Sequence, residues 1–210
     1  GAVIAIRWID FNVAGTDDGL GVDNFTLTAR GAAEGNTISL AALDVEYTQF
    51  FDNVLGTSPT GNSGLPVGWT YIEGTQTLPF WTYDTTTGAT LTSAGTYSVG
   101  ASGSSERALG QVTINASNNP KQIGAAFKND TGSIIEQVNV MYNGEQWRNG
   151  GSNVQDRIDF AYSTDATSLS TGTWTDVDPL DFASLVTSLG SPVGLDGNVE
   201  RAMKTHTISG

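Results

Sequence analysis

Short runs of alternating apolar and polar residues recur along the chain, separated by clusters of Gly, Asn, Asp, Ser and Thr. The runs are AVIAIRWI, FTLTA, GWTYI, FWTYD, GTYSV, QVTINA, IGAAFKN, EQVNVMY, RIDFAYS and THTIS. Each is rich in β-branched and aromatic residues and too short to be a helix, so each predicts a strand. Successive side chains on a strand point to opposite faces. Val138, Val140 and Tyr142 therefore share one face, as do Ile158, Phe160 and Tyr162. In the first run Ile4, Ile6 and Trp8 share a strongly apolar face that belongs in a core, with Val3, Ala5 and Arg7 on the other. Many short strands with turn residues between them predict an all-β fold, a jelly-roll-like antiparallel β-sandwich. Residues 181–189, DFASLVTSL, suit either a short helix capped by Asp181, with Leu185 and Leu189 on one face, or an irregular loop.

The chain has 210 residues, enough for a sizeable core. Twenty-two acidic against nine basic residues give a formal net charge of −13, which repels nucleic acid and anionic membranes. No apolar run reaches the ~20 residues that span a bilayer, so no membrane insertion is expected. There is no cysteine, which removes disulfides and thiolate metal sites. The chain starts with Gly and shows no signal peptide, as expected of a processed or excised chain.

Much of the chemistry sits in one stretch, DFNVAGTDDGLGVDN, residues 10–24, with four aspartates, two asparagines and three glycines. Asp10, Asn12, Asp17, Asp18 and Asp23 offer the oxygen donors that calcium takes, and Asp52 and Asn53 could add to them. The pattern is not an EF-hand: Ala14 and Gly21 stand where ligands are required. Against calcium stands a plain hairpin whose Asx side chains cap their own backbone. In GEQWR, Glu145 and Arg148 read either as a catalytic acid and its partner or, the preferred reading, as an ion pair beside a core tryptophan, Trp147, expected between the sheets. Asp156 and Asp159 fall on opposite strand faces, unlike the facing carboxylates of a glycosidase, and the lone histidine, His206, cannot build a three-His zinc site. No enzyme is expected. Trp69 with Tyr71, and Trp81 with Tyr83, are spaced to face one way, as core or as a sugar-stacking surface.

FFDNV, LPVGW, SGSSERALG, IGAAFKNDTG, MYNGEQWR, RIDFAYS, WTDVDPLDF and LDGN occur in an order that resembles a β-sandwich module of secreted and cell-surface bacterial, notably cyanobacterial, multidomain proteins. The resemblance implies fold and surface location more than activity. It also implies that a segment like IRWIDFN…GTDDGLGVDNFTLT closes the domain, whereas here it comes first. Residues 1–29 are thus the closing hairpin of a sandwich, residues 30–49 a connector with a strand near LDVEY, and residues 50–210 the main body. The displaced hairpin has three explanations: circular permutation, a chain break inside a tandem array, or donation of residues 1–28 to a neighbouring subunit. The last two together are the preferred expectation. They make the chain an extracellular structural module of a surface filament, sheath or tandem adhesin, partnered by copies of itself. The alternative is a carbohydrate-binding module with calcium as its cofactor.

Overall fold

The computed structural model describes residues 3–10, 16–28, 37–52, 54, 64–73, 81–84, 94–114, 120–187 and 190–209, with the backbone alone at 16–17, 28, 81–84 and 114. The fold is all-β. The strands, numbered in chain order, are β1 (Val3–Asp10), β2 (Thr16–Thr28), β3 (Ile38–Leu40), β4 (Glu46–Gln49), β5 (Trp69–Glu73), β6 (Trp81–Asp84), β7 (Gly95–Gly100) and β8 (Ala108–Ile114). There follow β9 (Lys121–Asn129), β10 (Gln137–Asn149), β11 (Arg157–Ser163), β12 (Thr175–Asp176), β13 (Phe182–Ala183), β14 (Val193–Gly194) and β15 (Arg201–Ser209).

These strands form two packed sheets. The first runs β12-β11-β1-β9-β3, with β13 also on β11 and β5 also on β9; the second runs β14-β10-β2-β8-β7-β6, with β15 also on β10 and β4 also on β2. Pairing is antiparallel except for β3 with β9 and β6 with β7. The result is a β-sandwich compatible with a jelly-roll-like arrangement.

The first two strands, expected as a hairpin, are not bonded to each other: each occupies the middle of a different sheet. β1 is bonded to β11 on one side and to β9 on the other, with Trp8 opposite both Phe160 and Ile123. β2 lies between β10 and β8. All these partners belong to the same chain. The last strand, β15, is not a neighbour of β1: it pairs with β10 in the other sheet. The expected connector, 30–49, contributes two short strands, β3 on β9 and β4 on β2, the second overlapping the strand expected at LDVEY.

Alternation explains which side chains form the core. Ile6 and Trp8 of β1, Val138, Val140 and Tyr142 of β10, and Ile158 and Phe160 of β11 are buried in one cluster, with Ile4 and Tyr162 packed on its margin. Trp69 and Tyr71 also lie in this cluster, so this aromatic pair is core rather than a sugar platform. The side chains of Trp81 and Tyr83 fall outside the described residues. On the opposite face of β1, the Arg7 guanidinium lies 3.8 Å from the ring centre of Trp174.

In β2 the phase slips by one residue. Leu20 and Val22 reach the core, and so do Phe25 and Leu27, an odd step away. Asn24 absorbs the step. Thr26 pairs with Met141 but Asp23 pairs with Asn143, so two residues, Asn24 and Phe25, oppose Tyr142 alone. Asn24 takes a φ of 48°, the left-handed region that Asn tolerates better than most residues. The bulge lets both halves of a long strand face the same core, and it leaves Asp23 on the other side of the sheet.

The helix considered for 181–189 does not form over its described residues. A short 3-10 turn, Asp178–Leu180, ends there instead. The Asp181 carboxylate accepts the N–H of Phe160 rather than capping a helix, and Phe182 pairs with Ile158. The Gln146 side-chain carbonyl takes the N–H groups of Leu185 and Val186. These tertiary partners satisfy the backbone groups that a helical turn would otherwise use. Leu185 is consequently exposed, not core.

Candidate functional site

Of the residues considered for calcium, only Asp23 joins a carboxylate cluster among the described residues. Asp10, at the end of β1, is buried and accepts the Thr113 hydroxyl across the sandwich. Asp18 is buried too. Its carboxylate accepts the Gly150 N–H and the Gln146 amide (3.0 Å), and its own N–H donates to Asp156 at 3.2 Å. Asn12, Asn53 and the side chain of Asp17 lie outside the described residues. The stretch expected to be a turn is largely strand. Gly19 and Gly21 are strand residues, and a Cβ on Gly19 would come 2.9 Å from the Cβ of Arg148, so only glycine lets these strands approach as they do.

Asp23 meets Glu106 and Glu145 instead. One carboxylate oxygen from each lies within 4.8 Å of the others, the one such group of three among the described residues. β2 brings Asp23 opposite Asn143; Glu145 stands two residues further along β10, opposite Gly21 and on the same face. Glu106 comes from the turn between β7 and β8.

Each carboxylate has one oxygen held and one free. Asp23 Oδ2 accepts the Asn24 amide at 2.7 Å, Glu106 Oε2 accepts the Asn198 amide at 2.6 Å, and Glu145 Oε2 accepts the Trp147 indole N–H at 2.9 Å. Asp23 Oδ1, Glu106 Oε1 and Glu145 Oε1 are buried with no hydrogen-bond partner. Asp23 is 2% exposed and Glu145 0%, and Glu106 is half-buried. Burial, with the charges of Glu106 and Asp52 adding to it, pushes the Asp23 carboxyl up to about 7. Burial likewise pushes Glu145 up to about 8, with Asp23 and Glu106 adding to the rise. Arg201, opposite Glu145 on β15, is the cation whose charge opposes these shifts. The donor set is oxygen alone, which suits hard cations rather than zinc or copper.

The expected Glu145–Arg148 pairing gives way to separate partners. A spacing of three puts the two residues on different courses along β10: Glu145 joins the carboxylates, and Arg148 lies opposite Gly19, where its charge opposes part of the rise that burial gives the Asp18 carboxyl. Trp147 is fully buried, as expected, but not between the sheets. It belongs to a second cluster with Tyr97, Val99, Ala108 and Val112. Ala108 and its neighbour Leu109 fall in different clusters, which places the two on opposite faces of the second sheet. Gly197 roofs the indole so closely that a Cβ there would be 2.3 Å from the ring. His206 is exposed on β15, opposite Val140.

Trp147→Ala is expected to cost about 3–5 kcal/mol, since it empties this second cluster and strips Glu145 of its donor. Urea unfolding measures it, and a loss under ~1 kcal/mol would show that the outer cluster contributes little to stability.

Comparison with known proteins finds no match: no family model fits the chain, and no curated protein or solved structure is significantly similar.

Proposed function

We propose that the chain is a structural module of an extracellular or cell-surface assembly, a filament, sheath or tandem-repeat adhesin, and that its N-terminal segment, β1 with β2, is the complementing element. The observation that supports this is the segment's position. β1 and β2 follow each other in the chain, yet each is an inner strand of a different sheet. Without them β11 and β9 lose a shared partner, and so do β10 and β8. Such an element makes the same ladder bonds whether its own chain or a neighbouring copy supplies it, because the receiving strands are the same. In the structure the pairing is made in cis; assembly follows by exchange of the segment between copies, or by joining complete modules in tandem. The acidic charge and lack of cysteine are compatible with an exposed, soluble module. The sugar-binding alternative falls behind because Trp69 and Tyr71 bury their rings in the core.

Light scattering on the chain refolded at rising concentration tests the proposal. Segment exchange predicts species at whole multiples of the chain mass that form during concentrated refolding and persist on dilution, because reversal requires unfolding. A single monomeric species at every concentration would contradict exchange and leave only tandem linkage.

A further inference from the structure

We propose that Asp23, Glu106 and Glu145 bind a calcium ion on the outer face of the second sheet, beside the Trp147 cluster. Three observations converge. The first is spacing. Oxygens that share a calcium ion at 2.3–2.6 Å can lie at most about 5 Å apart. The three carboxylates meet that limit, with an oxygen from each within 4.8 Å of the others.

The second is orientation. An amide or indole N–H fixes one oxygen of every carboxylate, through Asn24, Asn198 and Trp147. The other oxygen is left buried and unpartnered in all three. Donors that hold one oxygen of a ligand and leave the other for an ion are the outer-shell arrangement of metal sites. A purely structural cluster would be expected to satisfy those oxygens, since a buried acceptor without a donor is costly.

The third is charge. Asp52 adds a fourth carboxylate to the surroundings of Asp23, and among the described residues Arg201 is the cation whose charge reaches both Asp23 and Glu145. The guanidinium of Arg107, next to Glu106 in sequence, donates to the hydroxyl and carbonyl of Ser98. Among the described residues the carboxylates thus outnumber the cation that faces them, at a place where two of the three are almost wholly buried. A divalent cation supplies positive charge and the missing partners together. Calcium fits better than magnesium, because an irregular set of carboxylates completed by water suits its flexible shell of 6–8 oxygens, while magnesium demands a near-ideal octahedron. The ion would tie together β2, the β7–β8 turn and β10, and, through Asn198, the turn that roofs Trp147.

The test is calorimetric titration of the chelator-stripped full chain with calcium chloride, and separately with magnesium chloride. The expected result is one calcium per chain, magnesium at least ~10-fold weaker, a melting midpoint that climbs with calcium, and a change in tryptophan emission. Glu145→Gln keeps the side-chain shape and should weaken calcium binding by roughly 100-fold, in line with loss of a buried charged ligand. Glu106→Gln, at a half-buried position where folding is not at risk, should weaken it by roughly 10-fold. Absence of both heat and midpoint shift at about 10 mM calcium, above the range of extracellular modules, overturns the proposal. So does binding that both variants retain at full strength, which would place the ion elsewhere. None of these readouts depends on whether the N-terminal segment is exchanged between copies.

Discussion

Trp8→Ala is expected to remove about 5 kcal/mol of stability, the upper end of the range for a buried aromatic reduced to alanine. The indole is wholly buried at the middle of β1. It stacks on Trp69 at 5.9 Å and meets Phe25, Tyr142 and Phe160 edge-on at 5.5, 5.4 and 5.3 Å. Both sheets therefore close on this one ring: Phe160 and Trp69 come from the first, Phe25 and Tyr142 from the second. Aromatic pairs of this kind add roughly 0.5–1.5 kcal/mol each beyond the area they bury, so the cavity left behind also breaks four favourable contacts. Domains of this kind hold only about 5–15 kcal/mol in total, so the variant should be marginal at room temperature. Urea unfolding of Trp8→Ala beside Trp174→Ala provides the comparison. Trp174 is half-buried and its main partner is Arg7, so its loss should cost no more than ~2 kcal/mol. Equal losses in the two variants would show that the core is not centred on Trp8.

Alternation alone placed Trp8. Ile4, Ile6 and Trp8 share a face, and that face is the one that enters the core. The same rule separated Val138, Val140 and Tyr142 from the exposed Asn139 and Met141. It also held information about Trp147 that composition obscures. Trp147 stands five positions after Tyr142, and an odd step along a strand points a side chain to the opposite face, whatever its size. A large aromatic suggests the main core, but the parity of the strand decides, and Trp147 lies with Glu145 on the outer face.

Two features were not legible. The slip in β2 depends on one residue adopting a left-handed backbone, and the stretch DDGLGVDNF looks like a turn because its glycines and aspartates usually make one. Here the glycines serve close strand approach, and the aspartates divide between an inner network around Asp18 and the outer face at Asp23. The carboxylate cluster was hidden for a different reason. Asp23, Glu106 and Glu145 are far apart along the chain, and only the pairing of β2 with β10 and β8 brings them together. No local spacing marks such a site. Its one local trace is the two-residue step from Glu145 to Trp147, which puts a carboxylate and an indole N–H on the same side of a strand.

The second large effect concerns the N-terminal segment as a whole. A chain of residues 30–210 lacks β1 and β2, and with them the ladder bonds to five other strands. It also lacks Ile6, Trp8, Leu20, Val22, Phe25 and Leu27 from the core. Burial of six such side chains contributes on the order of 10 kcal/mol or more before entropy is counted, which matches or exceeds the whole stability of a typical domain. The truncated chain should therefore be unfolded or aggregated rather than merely weakened. Exposed strand edges with no partner make aggregation the expected fate.

The most direct measurement is complementation in trans: the 30–210 chain mixed with a peptide of residues 1–29 and followed by circular dichroism and thermal melting. The account predicts no cooperative transition for the truncated chain alone. With the peptide it predicts a one-to-one complex that melts cooperatively and loses this gain when the peptide carries Trp8→Ala. A truncated chain that melts cooperatively by itself, at a midpoint the peptide does not move, would contradict the segment's place at the centre of the fold.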